Sequence, residues 1–348
     1  MKVFTQITMI TTLLLLFMVS GVTAQELTKN YNESFDVNAD AKVQISNQYG
    51  QVNVQTWEKN QVMIEVEVSV DAKSEKESQR ILDKIDIEIS GDKSLVSAST
   101  AINGKLNCNN CDLNITYEVK MPSKGMLELS NTFGNAVIGD LEGGAKLNVE
   151  YGNLEAGTLS GKLNTVTVKF GSADIDEVKA ADIHMEYGEL ELDMAGYLDL
   201  YSRFNSIEIG KVSELALDSQ YDGIEIGSGD VLEIKAAFSD LKIGEVFDKI
   251  FISNSYAGIE IVRVAGGFSL VDIENLFGSI DIGVSSSASY KLEAKASFGD
   301  IDFPGKNASI IREVDKDFRQ EVEAFIGGDK KSASLIKVHV ENANIDIH

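Results

Sequence analysis

Carboxylates recur at one position of a repeating pattern in this chain. Glu155, Asp174, Glu191, Glu208, Glu225, Glu260, Asp281 and Asp302 each stand four residues after an aromatic residue, and only Val137 and Lys242 interrupt the series. Oxygen donors repeated at a fixed step could gather a hard cation such as Ca²⁺, which extracellular modules often bind weakly. The ordinary alternative is a solvated strand face. If every second unit is taken, Glu155, Glu191, Glu225 and Glu260 form a row without an intervening base, and these four are the candidate weak Ca²⁺ ligands. The Gly/Asp nonapeptide repeat of calcium-binding secreted proteins is absent. No other cofactor is suggested.

The remaining reactive residue types are few. Cys108 and Cys111 are the two cysteines, and in an exported protein they are expected to close a small disulfide loop. A redox CxxC usually opens a helix, whereas Asn107 to Asp112 reads as a hairpin loop. Zinc would need two further ligands, and His184, His339 and His348 lie far off in sequence. There is no GxSxG, HExxH or phosphate loop. Arginine is scarce in the repeats, so the basic clusters of polysaccharide-cutting enzymes are missing, although paired carboxylates keep a hydrolase or lyase as the alternative. A net charge of −24 repels nucleic acid and anionic lipid and excludes both as expected partners.

The elements that position these residues follow from the repeat. Aromatic residues recur at Phe133, Tyr151, Phe170, Tyr187, Phe204, Tyr221, Phe238, Tyr256, Phe277 and Phe298, at gaps of 17 to 21 residues. Apolar residues lie three and five places later, as Ile224 and Ile226 after Tyr221, and four and six places earlier, as Leu215 and Leu217. Each unit therefore reads as strand, corner, strand, loop. Near-constant repeats of this kind indicate a solenoid, in which each unit buries its apolar side against its neighbours. An antiparallel sandwich would not hold the spacing so tightly. By parity the aromatic is expected to face inward with the preceding apolar pair. The Gly that often follows, such as Gly188, is expected to supply a positive φ or a close backbone approach. Phe and Tyr alternate up to Phe277, which favours two units per turn.

The ends differ. Residues 1–24 read as a signal peptide, with Lys2, an apolar run from Ile7 to Met18 and a Val22-Thr23-Ala24 cleavage site. No later stretch is expected to cross a bilayer as a helix. Residues 25–122 form a strand-rich module with one helix near Ser74 to Lys84, and Tyr49-Gly50 already matches the repeat corner. Residues 123–304 hold the repeats, and 305–348 are expected to cap them with strands at Ser334 to Val340 and Ile345 to Ile347.

The signal peptide, the Asn47-Gln48-Tyr49-Gly50-Gln51-Val52-Asn53-Val54 opening, the VMIEVEVSV strand and the run TYEVKMPSKGMLELSNTFGNAVIGDLEGG together resemble the DUF4097 group, which carries an adhesin label. The resemblance implies an all-β, right-handed parallel β-solenoid (β-helix) in the cell envelope, exposed in the periplasm, at the cell surface or outside the cell. It carries no catalytic residue across. This sequence departs from the group by placing Phe or Tyr before the corner. The expected function is an adhesin-like binding or structural module without catalysis, with an envelope or surface protein or glycan as partner. A periplasmic envelope-stress component is a further alternative.

Overall fold

In a computed structural model the protein is described over residues 26–106 and 111–348. The expected signal peptide and Cys108 lie outside these residues. Among them the chain is all-β apart from one α-helix and a short 3₁₀ turn: twenty-six strands in one large, mostly parallel sheet that does not close. The helix is Glu75–Leu82, where the sequence places it; the Ser74 side chain caps it by accepting from the Glu77 N–H at 3.3 Å.

Alternation of apolar and polar residues makes these segments strands, and the structure shows which positions turn inward. In Ser206–Gln220, Ile207, Ile209, Val212, Leu215, Leu217 and Ser219 are buried. The expected pairs are all there. A further inward position, eight residues after the aromatic, was not anticipated; Val178, Ala195, Val212, Val246 and Val264 occupy it and are buried. The spacing of three residues on each side of Val212 marks two bends where the strict alternation of a flat strand is reset.

One unit makes one rung. Leu190 pairs with Ile207, Ile207 with Ile224 and Ile224 with Leu241, all in parallel register. The expectation of two units per turn is therefore overturned, because the hydrogen-bonded neighbour of each unit is the next unit along. The N-terminal unit at Tyr49 joins the same sheet: Val43 pairs with Leu127 and Val52 with Ala136.

The aromatic also stands differently from expectation. From Tyr49 to Phe298 every corner aromatic has φ between 56° and 64°, so the left-handed residue is the aromatic; of the glycines that follow, only Gly50 also has a positive φ, at 151°. The left-handed conformation swings the aromatic side chain outward, and the rings are about half exposed, as Tyr187 at 50% and Phe204 at 45%. Elsewhere the Gly serves close approach alone: a Cβ on Gly188 would lie 1.8 Å from the Gly171 carbonyl oxygen.

The C-terminal strands are not where a cap would place them. Leu335–Glu341 lies between Leu270–Leu276 and Tyr290–Ser297, parallel to both, and Ile345–Ile347 lies between Ile280–Val284 and Ile301–Asp302. The run of repeats expected over residues 123–304 is thus interrupted by a rung from the far end of the chain. The outermost strands are instead the hairpin Ala308–Lys316 and Arg319–Ile326, added antiparallel to Tyr290–Ser297.

Ile226 is fully buried between the parallel strands that flank it. Ile226→Asp should destabilise the fold by about 3 kcal/mol or more, because an unpaired charge is forced into an apolar layer. Chemical denaturation of the two proteins measures this, and an unchanged midpoint would contradict the inward placement.

Candidate functional surface: the acidic row

The +4 position lies between two inward residues, so its side chain points to solvent. The parallel register then stacks these side chains into one row. Glu155 pairs with Asp174, Asp174 with Glu191, Glu191 with Glu208 and Glu208 with Glu225. Lys242 follows, then Glu260 and Asp281. The inserted strand adds Asp346 between Asp281 and Asp302, a member that local repeat spacing could not reveal. The four candidate Ca²⁺ ligands all belong to this row but none touches another: Asp174 separates Glu155 from Glu191, Glu208 separates Glu191 from Glu225, and Lys242 separates Glu225 from Glu260.

Five consecutive carboxylates at a strand spacing of ~4.8 Å repel one another. The effect is visible at Glu191, whose carboxyl is held above the usual range chiefly by the charge of Asp174, with Glu208, Asp193 and Glu189 adding to it. Lys242 relieves the next part of the row through a 2.6 Å ion pair with Glu225, and that contact raises its own pKa. A shallow hollow of about 470 Å³ lies over Glu208, Glu225, Lys242 and Glu260, flanked by Gly223 and Gly258. Among the described residues no three Asp, Glu, His or Cys side chains converge as a metal-binding group. His184 stacks on Tyr201 at 4.6 Å and contacts Glu186 at 2.7 Å, apart from His339 and His348.

The second periodic surface is the aromatic column. Tyr49, Phe133, Tyr151, Phe170, Tyr187, Phe204, Tyr221, Phe238, Tyr256 and Phe277 stack ring on ring, with centroids 4.7 to 5.3 Å apart. Both faces of each inner ring are occupied by its neighbours, so only edges meet solvent. The inner rings therefore offer no free face on which a sugar could stack.

No family model and no curated relative matches this chain. Among solved structures, similarity is found to a "putative adhesin" of Bacteroides fragilis at 12% identity and TM-score 0.30, covering 92% of this chain and 97% of that one. A "putative adhesin" of Parabacteroides merdae gives 12% identity and TM-score 0.32 over 73% and 96% of the two chains. A "putative lipid binding protein" of Parabacteroides distasonis gives 11% and 0.26 over 92% and 96%. Scores this low transfer neither fold nor role to this chain. No helix among its described residues is long and apolar enough to cross a membrane.

The row sets a pH dependence. A carboxyl whose folded pKa is raised opposes folding when ionised, so stability should rise as pH falls from neutral through the folded pKa of Glu191. Glu128 acts in the other direction: hydrogen bonds from Lys42, Gln44 and Lys146 hold it at about 2, so its contribution is lost on further acidification towards that value. Glu191→Gln should raise the melting temperature at pH 7 and shrink the gain that mild acidification brings, as followed by circular dichroism.

The cysteine pair allows a separate check. Cys111 is not a free thiol, and its expected partner lies outside the described residues. Thiol titration of unfolded protein prepared without reductant should detect no reactive sulfhydryl.

Proposed function

We propose that the chain is an exported, non-catalytic β-solenoid of the DUF4097 type, right-handed and parallel, which engages a surface protein or glycan of the cell envelope along its extended side. The observation that carries this reading is the acidic row. Its chemistry repeats from rung to rung along the parallel register, as a surface for extended binding would. Stacked-repeat proteins use long, regular surfaces of this kind for binding. A panel of envelope proteins and polysaccharides, scored both for binding and for chain shortening, tests it. Saturable binding without shortening is expected, and polymer cleavage would replace the proposal with a hydrolase or lyase.

The same row is proposed to gather Ca²⁺ weakly, in roughly the millimolar range of extracellular modules. Its support is the run of carboxylates from Glu155 to Glu225 with no base among them. Melting at fixed ionic strength should then be higher in Ca²⁺ than in Na⁺. Equal melting temperatures would leave the row as a solvated face.

A further inference from the structure

The aromatic column is broken at one rung. Tyr256 covers one face of Phe277, with centroids 5.0 Å apart, and Phe318 covers one face of Phe298 at 5.6 Å. Between these two pairs runs the inserted strand Leu335–Glu341, whose corner residue is Asn342. The Phe277 N–H donates to the Glu341 carbonyl and the Asn342 N–H to the Ser297 carbonyl, so Phe277, Asn342 and Phe298 hold the same corner on successive rungs. All three are left-handed, with φ of 59°, 58° and 56°, and their side chains leave the backbone in the same direction. Phe277 and Phe298 therefore each turn an uncovered face toward the Asn342 rung. They are 51% and 65% exposed, against 45–48% for the enclosed Phe133, Phe170, Phe204 and Phe238.

The gap has the dimensions of one ring. Two rung steps of ~4.8 Å separate Phe277 from Phe298. A ring placed midway would lie about 4.8 Å from each, within the range favoured by offset-stacked aromatics. The inner rings of the column already sit at that spacing. Asn342 leaves the gap open, since its exposed side chain makes no hydrogen bond with the described residues. The surroundings are acidic. Glu341 stands beside Asn342, and Asp300 lies two residues beyond Phe298; both are exposed and form no ion pair with the described residues. Asp281, Asp346 and Asp302 follow on the same rungs. Of the nearby bases, Arg319 is held by Glu321, and His348 lies against Asp281 and Asp346.

We propose that this slot binds one aromatic side chain of a partner protein, presented by a segment with a Lys or Arg beside it. Phe277 and Phe298 clamp the ring between their free faces, and Glu341 and Asp300 meet the neighbouring base. The proposal rests on the binding function put forward above and names the chemistry of the partner, but its support is the break in the column and not the carboxylate row.

Titration with acetyl-Lys-Phe-Lys-amide at physiological salt, followed by NMR, should show saturable binding, with the peptide ring protons shifted upfield by the two flanking rings. Acetyl-Lys-Leu-Lys-amide keeps the charge without the ring, and acetyl-Glu-Phe-Glu-amide keeps the ring with the opposite charge. Each should bind at least about tenfold more weakly, the equivalent of losing the stacked faces or the charge contact. Asn342→Phe supplies the missing ring from the chain itself and should abolish binding, whereas Asn342→Gly, which empties the slot, should retain it. Phe277→Leu removes one flat wall and should weaken binding by a second route. Circular dichroism melting establishes that the variants are folded. Unchanged binding to folded Asn342→Phe would overturn the proposal, as would equal affinity for the Leu peptide. Methyl β-glucoside binding in the peptide's place would assign the slot to a sugar, and a dimer of the protein alone that Asn342→Phe dissolves would assign it to a second copy; either result overturns the proposal. Failure here removes the slot alone, because binding along the carboxylate row is read by the separate envelope panel.

Discussion

The whole stack depends on one close approach, in which the backbone of each corner rests against the backbone of the corner before it. Hydrogen bonding fixes the rungs at ~4.8 Å, and at Gly152, Gly171 and Gly188 that spacing leaves no room for a Cβ. Three rungs solve the same problem with the side chains of Asn205, Asp222 and Ser239. The Oδ1 of Asn205 accepts from the Gly188 N–H at 2.7 Å, and the Oδ1 of Asp222 accepts from the Asn205 N–H at 2.6 Å. The hydroxyl of Ser219 donates to the buried Asp222 carboxylate, and that of Ser239 accepts from the Asp222 N–H. Buried asparagines complete other corners: the Asn275 side-chain amide donates to the carbonyls of Ala257 and Gly278. Polar groups that a sharp bend would strand are thereby paired.

The aromatic column follows from the same corner. Holding a residue with a Cβ in the left-handed region costs about 1–2 kcal/mol. A stacked aromatic pair returns ~0.5–1.5 kcal/mol beyond the area it covers. The two magnitudes are close, and because each stacked pair is shared by two rings, a long column offers nearly one pair for each strained backbone and so offsets much of the cost. A lone corner aromatic would be a net loss. This is a physical reason for the column to run through consecutive rungs, and the alternation of Phe with Tyr requires no two-unit turn.

Much of this architecture was legible because parallel stacking writes its period into the chain. The apolar positions around Tyr221, the Tyr49 corner and the helix capped by Ser74 are all local patterns. The outward-facing carboxylates were legible for the same reason. The orientation of the aromatics was misread because parity assumes an extended strand through Tyr187 or Phe204, and the chain bends at those residues themselves. The inward Val212 lies three residues from the inward positions on either side, off the alternation that marks a flat strand. Lys242 read as an interruption, and only the register shows it neutralising Glu225. The place of Asp346 in the row could not be read locally, because the strand that carries it arrives from elsewhere in the chain.

That inserted strand separates what packing requires from what the surface repeats. Asp272 and Lys337 pair across 65 residues of sequence, against 17 to 21 for neighbouring corners in the repeats. Lengthening a loop by less than two doublings costs on the order of 1 kcal/mol in closure entropy. Burial of Ile336, Val338, Val340, Ile345 and Ile347 is worth roughly 1.5–3 kcal/mol for each side chain. The longer loop is therefore a small cost beside that burial, although such a non-local contact is expected to form slowly. At its corner stands Asn342, with φ 58°, so the backbone bend is kept while the ring is missing. The aromatic column accordingly stops at Phe277 and resumes only as Phe298 on Phe318. The carboxylate row passes straight through, by way of Asp346. A rung can thus join this stack without the aromatic, provided that it supplies the bend and the inward apolar residues. The continuation of the acid through a strand of different origin marks the row as a property of the surface, independent of the corner that builds it.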